Sequence, residues 1–348
     1  MKIINNVYIE TGLMKNTPIL ANMLQLDSVI IITDNLVPSL YVENLRAMFD
    51  TKFVEVIELQ SGEENKNFLA IETILAGFIR CKVSRFSTII ALGGGVVGDL
   101  AGFAAAIYMR GINWIQIPTT LIAQVDSAYG GKTGCNYHGK KNLLGAFHFP
   151  QLVLVDPEYI QSLATKEYIS GLAEVVKYGV ACDKDFFEWL EVNKLSIKNR
   201  DPSVLQTLVT TCCEIKTNIV AMDPRDQNER MALNFGHSFG HALEAATSFS
   251  DYLHGEAVAI GMLLATRLAV RMGMLERGIL DRLRNLLEYF ELPTMGLPFS
   301  VLIDYMGDDK KNHADRLNLI LPYALGKVKV VSLINIESLE GLMQSYVE

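Results

Sequence analysis

Short runs of β-branched residues alternate with amphipathic helical stretches up to about residue 160, and no other sequence feature constrains the fold as much. The predicted strands are Val29–Thr33, Phe53–Leu59, Thr88–Leu92, Trp114–Ile117 and Leu152–Val155. Helices are predicted between them over Pro38–Phe49, Asn65–Arg80 and Val96–Met109. Strands that alternate with helices indicate βαβ units. The pattern therefore predicts an α/β domain with a doubly wound, mostly parallel sheet.

After Lys166 the pattern becomes almost wholly helical. The predicted helices are Glu167–Val180, Phe186–Glu191, Val204–Met222, His237–Ala246, Glu256–Met272 and Leu280–Phe290. Only Leu317–Leu321 and Val328–Val331 resemble strands, and they form a predicted hairpin. We therefore predict two domains, an α/β domain over residues 1–165 and a mostly α-helical domain over residues 166–348.

Composition excludes several classes of partner. The 31 Lys and Arg residues face 39 Asp and Glu, a net charge of −8, so nucleic acid and anionic membranes are not expected partners. No uncharged run approaches the ~18 residues of a membrane helix, and the amino terminus does not resemble a signal peptide. Five cysteines without a Cys-x-x-Cys pair are typical of reduced thiols. We expect a cytoplasmic protein.

A glycine-rich turn follows the third predicted strand and precedes a predicted helix. Gly93, Gly95 and Gly98 fit the G-x-G-x-x-G pattern, whose backbone N–H groups approach a pyrophosphate. A tight turn without a ligand is the alternative. An ordinary Rossmann motif follows the first strand instead. Here the first strand ends in Asp34, which could hold a ribose, and Ser61–Lys66 forms a second turn after the second strand.

Three histidines fall within 18 residues, and they indicate a metal site. His237 and His241 are four residues apart on one helical face, and His254 begins the next predicted helix. Imidazole suits Zn²⁺ or a similar transition metal, and a catalytic site needs three protein ligands. Glu174 is the best candidate carboxylate, with Lys177 one turn later. Each histidine alone is more often a structural group, and the spacing does not decide which of the three bind.

Lysines and glycines are concentrated between Asp126 and Asn142. We interpret this segment as a glycine-rich loop that grips phosphate, with a solvated basic loop as the alternative. Other cations are by themselves indistinguishable from surface charges. These are Arg110, Lys216, Arg230, Lys310 and Lys311.

Seven segments, in order along the chain, resemble the 3-dehydroquinate synthase family. They are Gly94–Asp99, Pro118–Leu121, Gly130–Gly134, Lys141–Phe147, Ala173–Lys177, Asn234–His241 and His254–Ala257. The resemblance covers nearly the whole chain, from Asp34 to Val331. It implies an NAD-binding α/β domain, a helical metal-binding domain and a homodimer.

The resemblance also implies a role for individual residues. Glu174, His237 and His254 are the implied ligands of a divalent metal, zinc or alternatively cobalt, whereas His241 is assigned to substrate and proton transfer. The implied NAD contacts are Asp34, Ser61, Gly62, Glu63, Glu64, Asn65, Lys66, Gly94, Gly95, Val96, Val97, Gly98, Asp99, Thr119, Thr120, Lys132, Lys141, Tyr159, Ile160, Gln161 and Ser162. The implied substrate residues are Asp126, Lys132, Asn142, Lys177, Lys216, Arg230, Asn234 and either Lys310 or Lys311. Arg110 is implied to reach the site of the other subunit.

The implied reaction converts a sugar phosphate, 3-deoxy-D-arabino-heptulosonate 7-phosphate, to 3-dehydroquinate and phosphate, with NAD oxidising and then reducing the same molecule. Three other functions compete with it. The first is another sugar phosphate cyclase, the second is a metal-dependent polyol dehydrogenase that releases NADH, and the third is a nucleotide-binding regulator without chemistry.

The sequence departs from the family pattern at three places. His138-Gly139-Lys140 stands before Lys141 where Pro-Leu-Gly is usual, so the backbone path there is open. Ser162 replaces a threonine and retains the hydroxyl. No glycine follows Lys310-Lys311, so the sequence does not decide which lysine contacts substrate.

Overall fold

The computed structural model describes residues 1–15, 28–49, 53–224, 229–248, 250–306, 317–333 and 339. The chain forms two compact units, one of Met1–Leu163 with Leu205–Thr217 and one of Ala164–Val204 with Asn218–Glu348. The sequence-based boundary between residues 165 and 166 placed 205–217 in the second domain, whereas its contacts group it with the first unit. No helix among the described residues combines the length and the apolar composition that crossing a membrane requires.

The first unit is built on a seven-stranded sheet. Its strands are β1 (Lys2–Ile4), β2 (Val7–Ile9), β3 (Ser28–Asp34), β4 (Phe53–Leu59), β5 (Thr88–Gly93), β6 (Asn113–Pro118) and β9 (Leu152–Val155). They lie in the order β1-β2-β9-β6-β5-β3-β4. Only the β1–β2 pair is antiparallel. The predicted doubly wound, mostly parallel sheet is confirmed; strands β1 and β2 are too short, at three residues each, to show a period in the sequence.

Both faces of the sheet are buried, which explains the continuous apolar runs of its central strands. Ile30 and Ile32 of β3 pack on one face with α2 (Phe68–Arg80) and α3 (Gly95–Ile107). Val29 and Ile31 pack on the other face, where α1 (Ser39–Ala47) contributes Leu45. Successive side chains of a strand point to opposite faces, so one strand serves both cores.

The strand order reverses beside β3. The chain passes from β3 to β4 on one side and then returns to β5 on the other. Ligands of open α/β sheets bind at the carboxyl ends of the strands where the order reverses. Asp34 ends β3 and Gly93 ends β5, so the two motifs that the sequence analysis selected share this edge.

The segment predicted as a glycine-rich loop is instead mostly a hairpin. Strands β7 (Lys132–Tyr137) and β8 (Lys140–Phe147) pair antiparallel after a single π-helical turn at Ala123–Ser127. A Cβ on Gly134 would lie 2.4 Å from the Leu144 carbonyl oxygen. Gly134 therefore permits close strand pairing there, whereas Gly130, Gly131 and Gly139 have positive φ.

The second unit is mostly helical, as predicted. Its helices are α4 (Thr165–Ala181), α5 (Lys184–Lys198), the last turn of α6 (Pro202–Met222), α7 (His237–Ala246), α8 (His254–Arg271), α9 (Arg277–Tyr289) and α10 (Phe299–Met306). The predicted hairpin is present as β10 (Leu317–Ala324) and β11 (Lys327–Leu333). The sequence did not predict α10.

Two glycines of α8 bring three helices into backbone contact. A Cβ on Gly255 would lie 1.8 Å from the carbonyl oxygen of Ser170 on α4, and one on Gly261 would lie 2.0 Å from the carbonyl oxygen of Gly236 before α7. Any larger residue would push these helices apart. Helices α4, α7 and α8 are the three that carry the predicted metal ligands.

Candidate functional site

Glu174, His237 and His254 meet within the second unit. Glu174 lies in the middle of α4 and is fully buried, whereas His237 and His254 are the first residues of α7 and α8. One ligand atom from each lies within 4.8 Å of the other two. Three separate helices thus bring two imidazoles and one carboxylate together.

The spacing of these atoms fits a metal ion. Glu174 Oε1 lies 3.7 Å from His237 Nε2 and 3.6 Å from His254 Nε2. Ligand atoms about 2.1 Å from a tetrahedral zinc ion are separated by about 3.4 Å. The separations are therefore slightly too long for hydrogen bonds and close to those of ligands that share an ion.

Both histidines present the same nitrogen to Glu174. His237 Nδ1 lies 3.2 Å from the Phe235 carbonyl oxygen, and His254 Nδ1 lies 3.2 Å from Glu244 Oε1. A metal-binding imidazole usually donates its other N–H to such an acceptor, which fixes its tautomer and orientation. The donor set therefore fits a divalent metal held by two Nε2 atoms and a carboxylate.

The electrostatics of the site are dominated by burial and by two carboxylates. Burial lowers the pKa of His237 well below its usual value, and the neighbouring Lys177 ammonium lowers it further. Burial also acts to lower the pKa of His254, but the neighbouring carboxylates of Glu174 and Glu244 outweigh it and raise that pKa to about 9. Lys177 is buried and pairs with Glu174. Two buried carboxylates, Glu174 and Glu244, therefore face the Lys177 ammonium and the His254 imidazole.

Glu244 was missed by the sequence analysis. It is 2% exposed, and with His241 and His254 it forms a second possible metal-binding group. His241 itself is exposed. Glu244 lies seven residues after His237, which places both on one face of α7, and this spacing was the available signal. Glu244 contacts Nδ1 of His254, whereas Glu174 lies near Nε2, so the two carboxylates adjoin different nitrogens of the same ring.

The glycine-rich turn of the first unit lies between β5 and α3, as the sequence predicted. Gly94 precedes the first residue of α3. A Cβ on Gly98 would lie 2.2 Å from Gln116 Nε2 of β6, and one on Gly95 would lie 3.0 Å from Ser127 Oγ. These glycines allow the helix to pack closely on the sheet. The backbone N–H groups at the start of α3 form a site suited to phosphate.

Other predicted nucleotide residues lie around the same edge. Asp34 Oδ1 accepts hydrogen bonds from the backbone N–H groups of Leu36 and Val37, at 2.9 and 3.2 Å. The Thr119 N–H donates to the carbonyl of Gly93 at 3.0 Å, so the Thr119-Thr120 pair adjoins the glycine turn. Residues 61–66 follow β4 and include a 3-10 turn at Glu63–Asn65.

The predicted turn Tyr159 to Ser162 lies in a 3-10 segment, Pro157–Ser162. The Tyr159 ring stacks on Tyr41 at a centroid distance of 4.1 Å. The Tyr41 hydroxyl donates to Ser162 Oγ at 2.8 Å. The hydroxyl that replaces the family's threonine is therefore used in packing this turn.

Three predicted site residues of the first unit form a polar cluster. Lys66 Nζ lies 2.6 Å from Asp99 Oδ2 and donates to Asn142 Oδ1 at 2.6 Å. Burial acts to lower the pKa of Lys66, but the carboxylates of Asp99 and Glu63 outweigh it and raise that pKa. Burial raises the pKa of Asp99, which Lys66 opposes. The cluster joins the turn after β4, helix α3 and strand β8.

A second pair lies elsewhere in the first unit. Lys216 Nζ lies 2.7 Å from Asp126 Oδ1 and also donates to the Asp126 backbone carbonyl at 2.5 Å. Lys132 is exposed at the start of β7. Arg110 is exposed, with a left-handed backbone conformation at φ 67°.

The remaining predicted substrate residues belong to the second unit. Arg230 is buried, and its Nη1 donates to the Pro224 carbonyl oxygen at 3.1 Å. Asn234 Nδ2 donates to the Met231 carbonyl oxygen at 3.4 Å. Lys310 and Lys311 lie outside the described residues.

Comparisons with known proteins give consistent results. The model described as 3-dehydroquinate synthase N-terminal matches residues 56–170, and the model described as 3-dehydroquinate synthase C-terminal matches residues 171–312. The 3-dehydroquinate synthase of Colwellia psychrerythraea is 41% identical over 340 residues, which cover 97% of this chain and 96% of the relative. That of a Shewanella species is 40% identical over 341 residues, covering 97% and 95%.

Solved structures of related cyclases share the fold. The 2-epi-5-epi-valiolone synthase of Streptomyces hygroscopicus, with NAD⁺ and Zn²⁺ bound, is 28% identical with a TM-score of 0.89, covering 98% of this chain and 96% of that one. A 2-deoxy-scyllo-inosose synthase, complexed with carbaglucose-6-phosphate, NAD⁺ and Co²⁺, is 25% identical with a TM-score of 0.88 over the same shares. An iron-containing alcohol dehydrogenase of Thermotoga maritima, 13% identical with a TM-score of 0.63 over 89% and 92%, shows likeness of fold alone.

Proposed function

This chain belongs to the 3-dehydroquinate synthase family, and from that premise we propose how its residues perform the reaction. The enzyme converts 3-deoxy-D-arabino-heptulosonate 7-phosphate to 3-dehydroquinate and phosphate. It uses NAD and a divalent metal, as the NAD⁺-bound cyclases with Zn²⁺ or Co²⁺ support. The convergence of Glu174, His237 and His254 is the structural observation that carries the proposal.

Glu174, His237 and His254 would hold the metal. The Phe235 carbonyl and the Glu244 carboxylate lie beside the Nδ1 atoms, and both Nε2 atoms, which lie near Glu174, would be available to the metal. A metal held there would supply Lewis acidity for the C5 hydroxyl of the substrate, and bound NAD would supply a reversible acceptor for the C5 hydride. Lys177 beside Glu174 would orient a substrate hydroxyl through its N–H groups.

The first unit would hold the nucleotide. Asp34 would hold the adenosine ribose, and the N-terminal end of α3 at Gly94–Asp99 would hold the pyrophosphate. The remaining contacts would come from the turn at residues 61–66, Thr119-Thr120, Lys132, Lys141 and the turn from Tyr159 to Ser162. The position of Asp34 and Gly93 at the carboxyl ends of adjacent strands supports this assignment.

Elimination of phosphate requires the C6 proton to leave while the phosphate group is held. Five side chains would hold that phosphate, and its own oxygen would help to remove the proton. They are Lys132, Asn142, Asn234, His241 and Arg110. Asp126 would orient a hydroxyl, and Lys216 and Arg230 would pair with the substrate carboxylate during the ring closure. Lys310 or Lys311 would add a further cation.

The reaction makes the enzyme a carbon–oxygen lyase of the shikimate pathway. We place it in the cytoplasm because its five cysteines are free. We further propose a homodimer in which Arg110 reaches the partner's site, and the exposure of Arg110 in this chain supports that role.

The test follows phosphate and 3-dehydroquinate together. The purified protein is incubated with the heptulosonate phosphate, a divalent metal and NAD⁺ at a small fraction of the substrate concentration. We expect the two products in equal amounts and no net NADH at 340 nm. One NADH accumulated per substrate consumed would indicate a polyol dehydrogenase instead.

A second candidate is another sugar phosphate cyclase, because the cyclases named above match almost the whole chain with TM-scores of 0.88 and 0.89. Glucose 6-phosphate, of which carbaglucose-6-phosphate is the carbocyclic analogue, distinguishes the two. It lacks the carboxylate that Lys216 and Arg230 would hold. Faster turnover of glucose 6-phosphate than of the heptulosonate phosphate would favour the second candidate.

A further inference from the structure

Asn136 occupies an irregular position in the β7–β8 hairpin. Cys135 pairs with Leu144, but Tyr137 pairs with Lys140. Between these two pairs a single residue of β7, Asn136, therefore lies opposite three residues of β8, 141–143. Such irregularities re-aim side chains and are over-represented near active sites. The segment re-aimed here contains Lys141 and Asn142, which the proposed function assigns to cofactor and substrate.

The side chain of Asn136 bonds in two directions. Its Oδ1 accepts the backbone N–H of Asn142 at 2.8 Å, and its Nδ2 donates to Glu63 Oε1 at 2.9 Å. Its backbone N–H donates to the Lys66 carbonyl oxygen at 2.8 Å. Asn136 therefore links strand β8 to the turn after β4.

The link closes a ring of contacts. Lys66 Nζ, on the turn that Asn136 grips, donates to the Asn142 side chain at 2.6 Å. Asn142 has a left-handed backbone, with φ at 48°, a conformation that asparagine adopts more readily than most residues with a side chain. The hydrogen bond from its N–H to Asn136 holds the backbone at this position.

We propose that Asn136 is a positioning residue, which sets Asn142 and Lys66 in place by joining the hairpin to the turn at Glu63. This inference rests on the proposed function for its kinetic consequence. The role requires a side chain with both a donor and an acceptor, which the amide supplies. Aspartate retains the acceptor for Asn142 but loses the donor to Glu63 and places a second carboxylate beside it.

The first test compares Asn136→Ala with a matched control. Asn6 is also partly buried, and its Nδ2 donates to the Pro150 carbonyl oxygen at 2.7 Å, in the turn between β1 and β2. We expect Asn136→Ala to lower kcat/KM for the heptulosonate phosphate about 10- to 100-fold, the range for a lost hydrogen bond to a charged group. Asn6→Ala should lower Tm with unchanged kinetic constants. Asn136→Ala that also changes only Tm would overturn the proposal.

The second test reverses the hydrogen bond. In a Glu63→Gln background the Gln amide can donate to an aspartate at position 136. Asn136→Asp should therefore lower kcat/KM less than about three-fold in that background, but about 10-fold or more in the parent. Comparing the substitution in the two backgrounds removes any direct effect of Glu63→Gln on NAD. Equal costs in both backgrounds would show that Asn136 does not act through Glu63, and would overturn the proposal.

A third measurement needs no turnover, so that failure of the proposed function is distinguishable from failure of this inference. Amide hydrogen exchange is followed in residues 61–67 and 140–147 of the parent, Asn136→Ala and Asn6→Ala. We expect about 10-fold faster exchange of both segments in Asn136→Ala only. Unchanged exchange of these segments in Asn136→Ala would overturn the inference, even if the parent made 3-dehydroquinate. Faster exchange in Asn136→Ala, together with a parent that shows no turnover, would refute the proposed function alone.

Discussion

The carboxylate of Glu244 provides a sharp test of the metal site because it contacts Nδ1 of one proposed ligand, the ring atom that would not bind the metal. Its Oε1 lies 3.2 Å from His254 Nδ1, whereas Nε2 of the same ring lies 3.6 Å from Glu174. Removing Glu244 should leave the three ligands in the protein but release the orientation of His254. Metal affinity should therefore weaken without being abolished.

The size of the effect follows from the role of such partners. Loss of a residue that orients a metal-bound imidazole typically costs 10- to 100-fold in metal affinity, or about 1.4–2.7 kcal/mol. Glu244→Ala should fall in this range. In Glu244→Gln the amide oxygen can still accept the Nδ1–H, so the loss should be smaller, at about 10-fold or less.

The assay is competition for Zn²⁺ with a chromogenic chelator, which reads affinity without turnover. Glu256→Gln is the matched control, because Glu256 Oε2 accepts the Leu253 N–H at the same helix start, at 2.7 Å, and glutamine preserves that cap. The control should bind Zn²⁺ as the parent does. If Glu244→Ala also bound Zn²⁺ as tightly as the parent, Glu244 would not orient a ligand and the assignment of His254 Nε2 would be refuted.

Three further predictions test other parts of the molecule. His254→Ala should lose tightly bound metal, whereas His241→Ala should retain it and lose turnover; equal metal loss in elemental analysis would contradict the ligand set. Arg230→Ala should lower kcat/KM for the heptulosonate phosphate about 10- to 100-fold. Its NAD⁺ affinity, measured by calorimetry, should be unchanged; a comparable loss of NAD⁺ affinity would contradict a carboxylate-binding role. Burial raises the pKa of the Cys213 thiol from 9.0 to about 12. Above pH 9 the thiol therefore ionises in the unfolded chain before it does so in the folded one, and the stability that the buried thiol contributes is lost as pH rises toward 12. In urea titrations between pH 9 and 12, the free energy of unfolding of the parent relative to Cys213→Ala should fall by about 1.4 kcal/mol per pH unit. A difference that stays constant with pH would show that the thiol ionises equally in the folded and unfolded states.

The sequence by itself determined the layered architecture of the first unit. Central strands such as β3 are buried on both faces, so their sequences are continuous apolar runs without alternating polar residues. Such runs are recognisable from the local sequence alone. The glycine turn after β5 was equally visible from the spacing of its glycines. The structure gives a reason for one of them, because a Cβ at Gly98 would collide with Gln116. The resemblance to the family then implied residue roles that spacing had left open, including a choice among the histidines.

Only the tertiary structure decided which side chains are partners. Lys66 and Asn142 are 76 residues apart, and periodicity reports the buried face of an element but not which residue of another element it meets. The same limit explains why Asn136 was missed, because its side chain bonds Glu63, 73 residues away. Glu244 differs, since its spacing from His237 on one helix was a signal in the sequence.

The β7–β8 hairpin shows the physical reason most directly. Its glycines and lysines are typical of a loop. Gly134 and Gly145, however, lie where two paired backbones approach too closely to leave room for a Cβ. Composition does not distinguish a glycine that provides freedom of φ from one that provides space. That distinction depends on what lies opposite, and only the folded chain supplies it.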